Sequence, residues 1–192
     1  MGMDATDLAH GLFRILETGD PALAAEVVHE DFRNRESAVS PAACALPGPA
    51  GVLASSAWMR SAFSDLRFPV LGVARNDGQV WIRLRMHGRH TGPFVRFQDG
   101  ALDQAVPPTG RAVDCEQIHV LDLRDGKVVG HEAVRDDIGM LGQLGVFPPA
   151  PATALRMLAW KVTGRAGRAA TQVSAEAARA AALAQDGPGR HR

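Results

Sequence analysis

Two stretches of the chain alternate so regularly that only one local structure fits them. From Gln79 to His87, Val80, Ile82, Leu84 and Met86 occupy every second position, and Trp81, Arg83, Arg85 and His87 fill the others. Successive strand side chains point to opposite faces, so this is a strand with one apolar inner face. Asn76-Asp77-Gly78 stands before it, and Phe68, Val70, Gly72 and Ala74 alternate ahead of that turn. An Asp-Gly pair between alternating segments is a hairpin signal. A second hairpin is expected from 111–124 and 127–135 around Arg124-Asp125-Gly126. The first 65 residues read as helices instead. Leu8, Leu12, Ile15 and Leu16 make one helical face over 4–18, Gly19-Asp20-Pro21 breaks it, and Pro21 opens a second helix through about Val28. Residues 37–51, rich in Pro, Ala, Ser and Gly, read as a loop, followed by a helix from Val52 to Phe63. A further helix is expected over Asp136–Leu144, closed by Gly145 and Pro148-Pro149. Helices first and a meandering antiparallel sheet afterwards imply an α+β fold.

A chain of 192 residues holds one domain with a real core. Its 21 basic and 21 acidic residues cancel, so no overall field recruits nucleic acid or an anionic membrane. Asp4, Asp7 and His10 interrupt the apolar residues near the N-terminus, and no apolar run reaches the roughly 20 residues of a membrane span. These features predict a soluble, cytoplasmic protein. Cys44 and Cys115 stand far apart and outside any metal-type cluster; two reduced thiols are expected rather than a disulfide. His87 and His90 lack a ligand set at metal spacing, so no metal site is expected. There is no GxGxxG, P-loop or GxSxG motif. Residues 150–192 differ in character, with Lys or Arg at 156, 161, 165, 168, 179, 190 and 192 against Glu176 and Asp186. This reads as a helical, basic extension with a stripe of Leu155, Leu158 and Val162. It would pack on the domain or a partner subunit, or lie on a membrane surface.

The order of several short blocks resembles one family. Thr18-Gly19-Asp20, Asp31-Phe32-Arg33-Asn34 and Ala62-Phe63-Ser64-Asp65-Leu66 come first. Gly88-Arg89-His90-Thr91-Gly92-Pro93-Phe94, Pro107-Pro108-Thr109-Gly110-Arg111 and Asp125-Gly126-Lys127-Val128 follow, and the series ends at Asp136 through Gln143-Leu144-Gly145. Together they resemble the SnoaL-like polyketide cyclases, or ester cyclases, of the NTF2-like superfamily, over about residues 4–149. The resemblance implies an NTF2-like domain over 1–149: a cone in which a curved antiparallel sheet wraps the N-terminal helices around an apolar pocket. It also implies a homodimer or higher oligomer, a hydrophobic small-molecule substrate, and no metal or organic cofactor. The activity implied is ring closure by intramolecular aldol chemistry in secondary metabolism.

The family's aspartate, seven residues before the glutamine of Gln-Leu-Gly, corresponds to Asp136. Strand parity puts Asp136 on one face with Val134, Glu132, Gly130 and Val128, the face expected to line the pocket. A carboxylate there would lose hydration, gain basicity, take a proton next to a carbonyl and return one to the product alkoxide. The competing role is a helix N-cap, with Asp137 able to take that duty and leave Asp136 free. Gln117 and His119 share a face of the neighbouring strand and could hold a carbonyl or ring oxygen, with His119 taking part in the chemistry. Asn34 matches a polar family position with the same capacity. His90 would touch substrate or pin its loop through the ring nitrogens, and His131, of opposite parity to Asp136, is expected at a surface or interface.

Three departures stand out. Glu132 replaces the family tryptophan, giving a second pocket carboxylate or a partner for Arg83 or Arg85. The link Val95–Val106 is expanded into an extra loop or short hairpin over the pocket mouth. The 150–192 tail has no counterpart in the minimal domain. The leading expectation is a cofactor-independent cyclase or isomerase. Hydrolysis or epoxide opening by Asp-activated water, and non-catalytic binding of a small molecule, are the alternatives.

Overall fold

The computed structural model describes residues 4–184, so Arg190 and Arg192 of the expected basic end lie outside the described residues. Helix α1 (Ala5–Thr18) starts where Asp4 accepts the N–H groups of Thr6 and Asp7 while Asp7 accepts that of Asp4, a reciprocal cap. It ends at Gly19 in the left-handed conformation. Asp20 caps α2 (Pro21–Val27), which stops before Val28 because Val28 opens strand β1 (Val28–Asn34). Only Val28 and Phe32 are buried there, four apart, a spacing that mimics a helix and hid the strand. Two single 3-10 turns, Ser37–Val39 and Ala42–Ala45, occupy the expected loop. Helix α3 (Pro49–Ala62) begins three residues earlier than expected, with Pro49 in the first turn.

Strands β2 (Phe63–Arg67), β3 (Val70–Asn76), β4 (Gln79–His90), β7 (Ala112–Arg124) and β8 (Lys127–Arg135) build the main sheet with β1. Its order is β1-β8-β7-β4-β2, with β3 also pairing β4. Both expected hairpins are present: β3 meets β4 from Asn76↔Gln79, and β7 meets β8 from Arg124↔Lys127. Strand β1 joins β8 in parallel, bringing Asn34 beside His131. Along β4 Val80, Ile82, Leu84 and Met86 are buried, as the alternation requires, and they form one core with Leu8, Leu12, Phe13 and Ile15 of α1. The outer face carries Arg83 paired to Glu116 and Arg85 paired to Asp114, at 2.7 and 2.8 Å.

The expanded link is a separate hairpin, β5 (Phe94–Gln98) and β6 (Ala101–Val106). Helices α4 (Asp137–Leu144), α5 (Pro151–Val162) and α6 (Arg165–Ala182) follow the sheet. Helix α6 buries Ala169, Ala170, Val173, Ala177 and Ala181, a stripe at helical spacing. Its first half packs on Val95, Phe97 and Ala105 of the hairpin, and its second half on Cys44 and Ala54. The tail thus packs on its own domain, on α3 and the hairpin. The anticipated stripe on α5 does not take part: Leu155, Leu158 and Val162 are exposed. Both cysteines are free and buried, and no described helix is long and apolar enough to cross a membrane.

Candidate active site

Helices α1 and α3, strands β1, β4, β5, β7 and β8, and helix α4 surround a cavity of about 120 Å3. Its walls are apolar: Leu12, Phe32, Val52, Trp58, Phe68, Met86, Phe94 and Met140 contribute. The space is comparable to the ~150 Å3 of an engineered cavity that takes up benzene, so a larger ligand has to extend through the mouth. Trp58 is fixed by its Nε1–H, which donates to the Val95 carbonyl at 2.9 Å, and it stacks on Phe94 at 5.9 Å between centroids.

Against these walls lies one continuous polar chain. Strand β7 turns Cys115, Gln117, His119 and Leu121 inward, all buried. His119 Nε2 meets Gln117 Oε1 at 2.9 Å, and His119 Nδ1 meets His131 Nε2 at 2.8 Å. His131 Nδ1 in turn meets Asn34 Oδ1 at 3.1 Å, while Asn34 Nδ2 donates to Ser55 Oγ at 3.4 Å. The two rings stack with 13° between planes, and Phe13 closes on His119 edge-on.

Proton positions follow from this geometry. The Glu36 N–H donates to Asn34 Oδ1, which fixes that oxygen as an acceptor toward His131 Nδ1–H. His131 Nε2 then accepts from His119 Nδ1–H, and His119 Nε2 is left with a lone pair beside the Gln117 amide. Two neutral rings are completed when Gln117 presents its NH2 there, whereas presenting its oxygen calls for a third N–H. Amide orientation and ring protonation are thus coupled. Burial holds His119 well below the usual histidine range, with His131 and Arg135 acting in the same direction. It lowers His131 to about 4, with Arg135 again contributing. Desolvating an imidazolium costs more than turning an amide, so the resting pair is neutral once the Gln117 amide, whose Nε2 otherwise faces Met86 Sδ and Cys115 Sγ at 3.7 Å, turns to donate to His119 Nε2.

His131 was expected on a surface, and the reason it is not lies in β8. Between Asp122↔Gly130 and Leu123↔Val128 the register shifts by one residue on β8. Such a bulge flips every following side chain to the other face. Val128 therefore faces the core, but beyond the bulge His131 and Arg135 face the cavity while Val134 is exposed. Gly130 suits the spot, because a Cβ there would collide with the Asp122 carboxylate. Glu132, expected in the pocket, turns away from it and pairs with Arg35 at 3.1 Å, not with Arg83 or Arg85.

The same inversion reaches Asp136. It is exposed and does not line the cavity; its Oδ1 accepts the Gly139 N–H at 2.8 Å as the N-cap of α4. Gly139 leaves room for this, since a Cβ would run into that carboxylate. The roles expected for the two neighbours are exchanged: Asp137 lines the cavity, 3.4 Å from Arg135, which also holds Glu36 at 3.0 Å. His90, considered for substrate contact, lies outside the lining. It is fully buried, its Nδ1 accepts the Thr109 N–H and meets Thr109 Oγ1, and its ring packs on Phe63. Of the expected site residues the cavity therefore gathers Gln117, His119 and Asn34; His131, Ser55 and Asp137 join them, and Asp136, Glu132 and His90 stand outside. Among the described residues no group of three or more His, Cys, Asp or Glu is arranged to hold a metal ion.

Comparisons with known proteins agree on the family. The SnoaL-like polyketide cyclase family model matches residues 6–144. The aklanonic acid methyl ester cyclase DnrD of Streptomyces peucetius is 30% identical over 150 residues, 76% of this chain and 93% of its own. The nogalonic acid methyl ester cyclase of Streptomyces nogalater is 31% identical over 99 residues, 51% of this chain and 67% of its own. TsrD from Streptomyces laurentii shares the fold at a TM-score of 0.60 with 22% identity, over 75% of this chain and 98% of that one. The chain belongs to the SnoaL-like polyketide cyclase family.

Proposed function

We propose that the protein is a cofactor-independent cyclase that closes a ring of a polyketide by an intramolecular aldol reaction. The observation that carries this reading is the buried Gln117–His119–His131–Asn34 chain set into an apolar cavity. An aldol closure needs a group that takes a proton from carbon beside a carbonyl and gives one back to an alkoxide. Neutral imidazoles can accept, and the lone pair on His119 Nε2, freed when the Gln117 NH2 swings away from it, is the place to do so. Gln117 answers by turning its oxygen to the new N–H, so the charge spreads over two stacked rings between two amides. The enolate carbon then attacks the second carbonyl of the same molecule; one C–C bond forms, and the alkoxide recovers the proton from His119. The product is an isomer of the substrate. Stabilisation of the enolate falls to the substrate's own conjugated system.

A second reading rests on α4. Asp137 lines the cavity directly after Asp136, the family's aspartate position, so a carboxylate of this pair is the alternative base. Homodimerisation belongs to the proposal as well, supported by Trp81, Ile118 and Val134 exposed on the sheet's outer face. The test is incubation with aklanonic acid methyl ester, the compound in the relatives' names, followed by chromatography and mass measurement. A new product of unchanged mass supports the proposal, and loss or gain of water, or no reaction with this ester, its free acid or related polyketides, contradicts it.

A further inference from the structure

The cavity holds a cation that the proposed chemistry does not use. Arg96 lies on β5, in the expanded hairpin, and lines the cavity together with Phe94. Alternation along β5 sends Val95 and Phe97 the other way, into a buried cluster with Ala169, Ala170 and Val173 of α6. That packing fixes the register, because a slip of one residue would drive a guanidinium into the apolar cluster under α6.

The lining carries two cations, Arg96 and Arg135, and two anions, Glu36 and Asp137, and both anions are paired with Arg135 rather than with Arg96. Arg135 is held by Glu36 at 3.0 Å and Asp137 at 3.4 Å, so one guanidinium already engages both lining carboxylates. Among the described residues Arg96 makes no such ion pair and donates no side-chain hydrogen bond, and it is half-buried. The remaining polar lining (Asn34, Ser55, Gln117, His119, His131) is uncharged at neutral pH. A planar fork of five donors beside apolar walls recognises a planar oxyanion, and the poor screening near those walls strengthens the pairing.

We propose that Arg96 is a specificity-determining residue that binds a carboxylate on the ligand, so that the cavity selects a free aromatic acid over its neutral ester. This rests on the reading of the cavity as the site of an aromatic polyketide, and it departs from the methyl esters in the relatives' names. It also gives the hairpin and α6 a common purpose, since the helix holds the strand that aims the guanidinium.

The experiment is titration with 2-naphthoate and with methyl 2-naphthoate, read by quenching of tryptophan fluorescence, with Trp58→Phe showing that the signal reports this cavity. The native protein binds the acid at least about tenfold more tightly than the ester, as expected for a charge-assisted pair. Arg96→Gln removes the preference by weakening the acid alone, leaving the ester within about twofold, and Arg96→Lys keeps part of it. The melting temperature of each variant shows that the fold is retained. Equal affinities in the native protein, or a preference that survives Arg96→Gln, would overturn the role of Arg96 and leave the cavity reading standing. Failure of both probes to bind would overturn the two together.

Discussion

His119 and His131 show how neighbours decide what one residue type can do. Each ring is buried, and each has both nitrogens engaged, so neither is a surface histidine that titrates freely. His131 and His90 have pKa values lowered to about 4 from the ordinary 6.5. In that interval the unfolded chain binds more protons than the native one, so stability rises with pH from about 4 to 6.5 and is lost as pH falls. A shift of this size corresponds to at most roughly 3 kcal/mol per histidine. Urea denaturation across this range should show that slope, and His131→Gln should flatten it; a slope unchanged by the substitution would mean that His131 does not titrate with unfolding. At this scale the sequence was readable in part. Gln117 and His119 could be placed on an inner face because β7 alternates without interruption. His131, Glu132 and Asp136 could not, because one bulged residue in β8 reverses their parity without altering the pattern of residue types.

Helix α6 shows why alanine-rich segments are hard to place from sequence. Its composition suits a helix anywhere, and its buried face is made of side chains too small to announce a core. The structure uses that smallness: Ala177, fully buried, belongs to a cluster with Ala54 of α3 and Cys44. Ala177→Leu should therefore overpack the junction and cost about 1–3 kcal/mol by chemical denaturation. Were α6 undocked, the same change would be neutral. Strand β1 was missed for the opposite reason. Its two buried residues are four apart, and its partner β8 is a hundred residues away, so nothing local distinguished it from the end of α2. The hairpins were legible because an Asp-Gly turn and a two-residue period are local signals that tertiary packing only confirms.

For the whole molecule, the fold brings residues from four distant segments to one point: Asn34, Ser55, Gln117 with His119, and His131. No pair of these except Gln117 and His119 shares a local pattern, so the polar chain exists only once the sheet has closed over α1 and α3. The outer face of that sheet leaves Trp81, Ile118 and Val134 exposed beside charged pairs. Light scattering should accordingly give twice the 20.4 kDa chain mass, and the chain mass alone would remove this face as a self-association surface. Acid/base work by the buried histidine pair is best tested by turnover of a cyclisable polyketide, as ester or free acid, by His119→Gln, His131→Gln, Asp136→Asn and Asp137→Asn, each checked for retained folding. The pair as proton carrier predicts a loss of about 10²–10⁴-fold in kcat for either histidine variant, with the two aspartate variants near the native rate; native-like turnover in His119→Gln together with its collapse in Asp136→Asn or Asp137→Asn would contradict it.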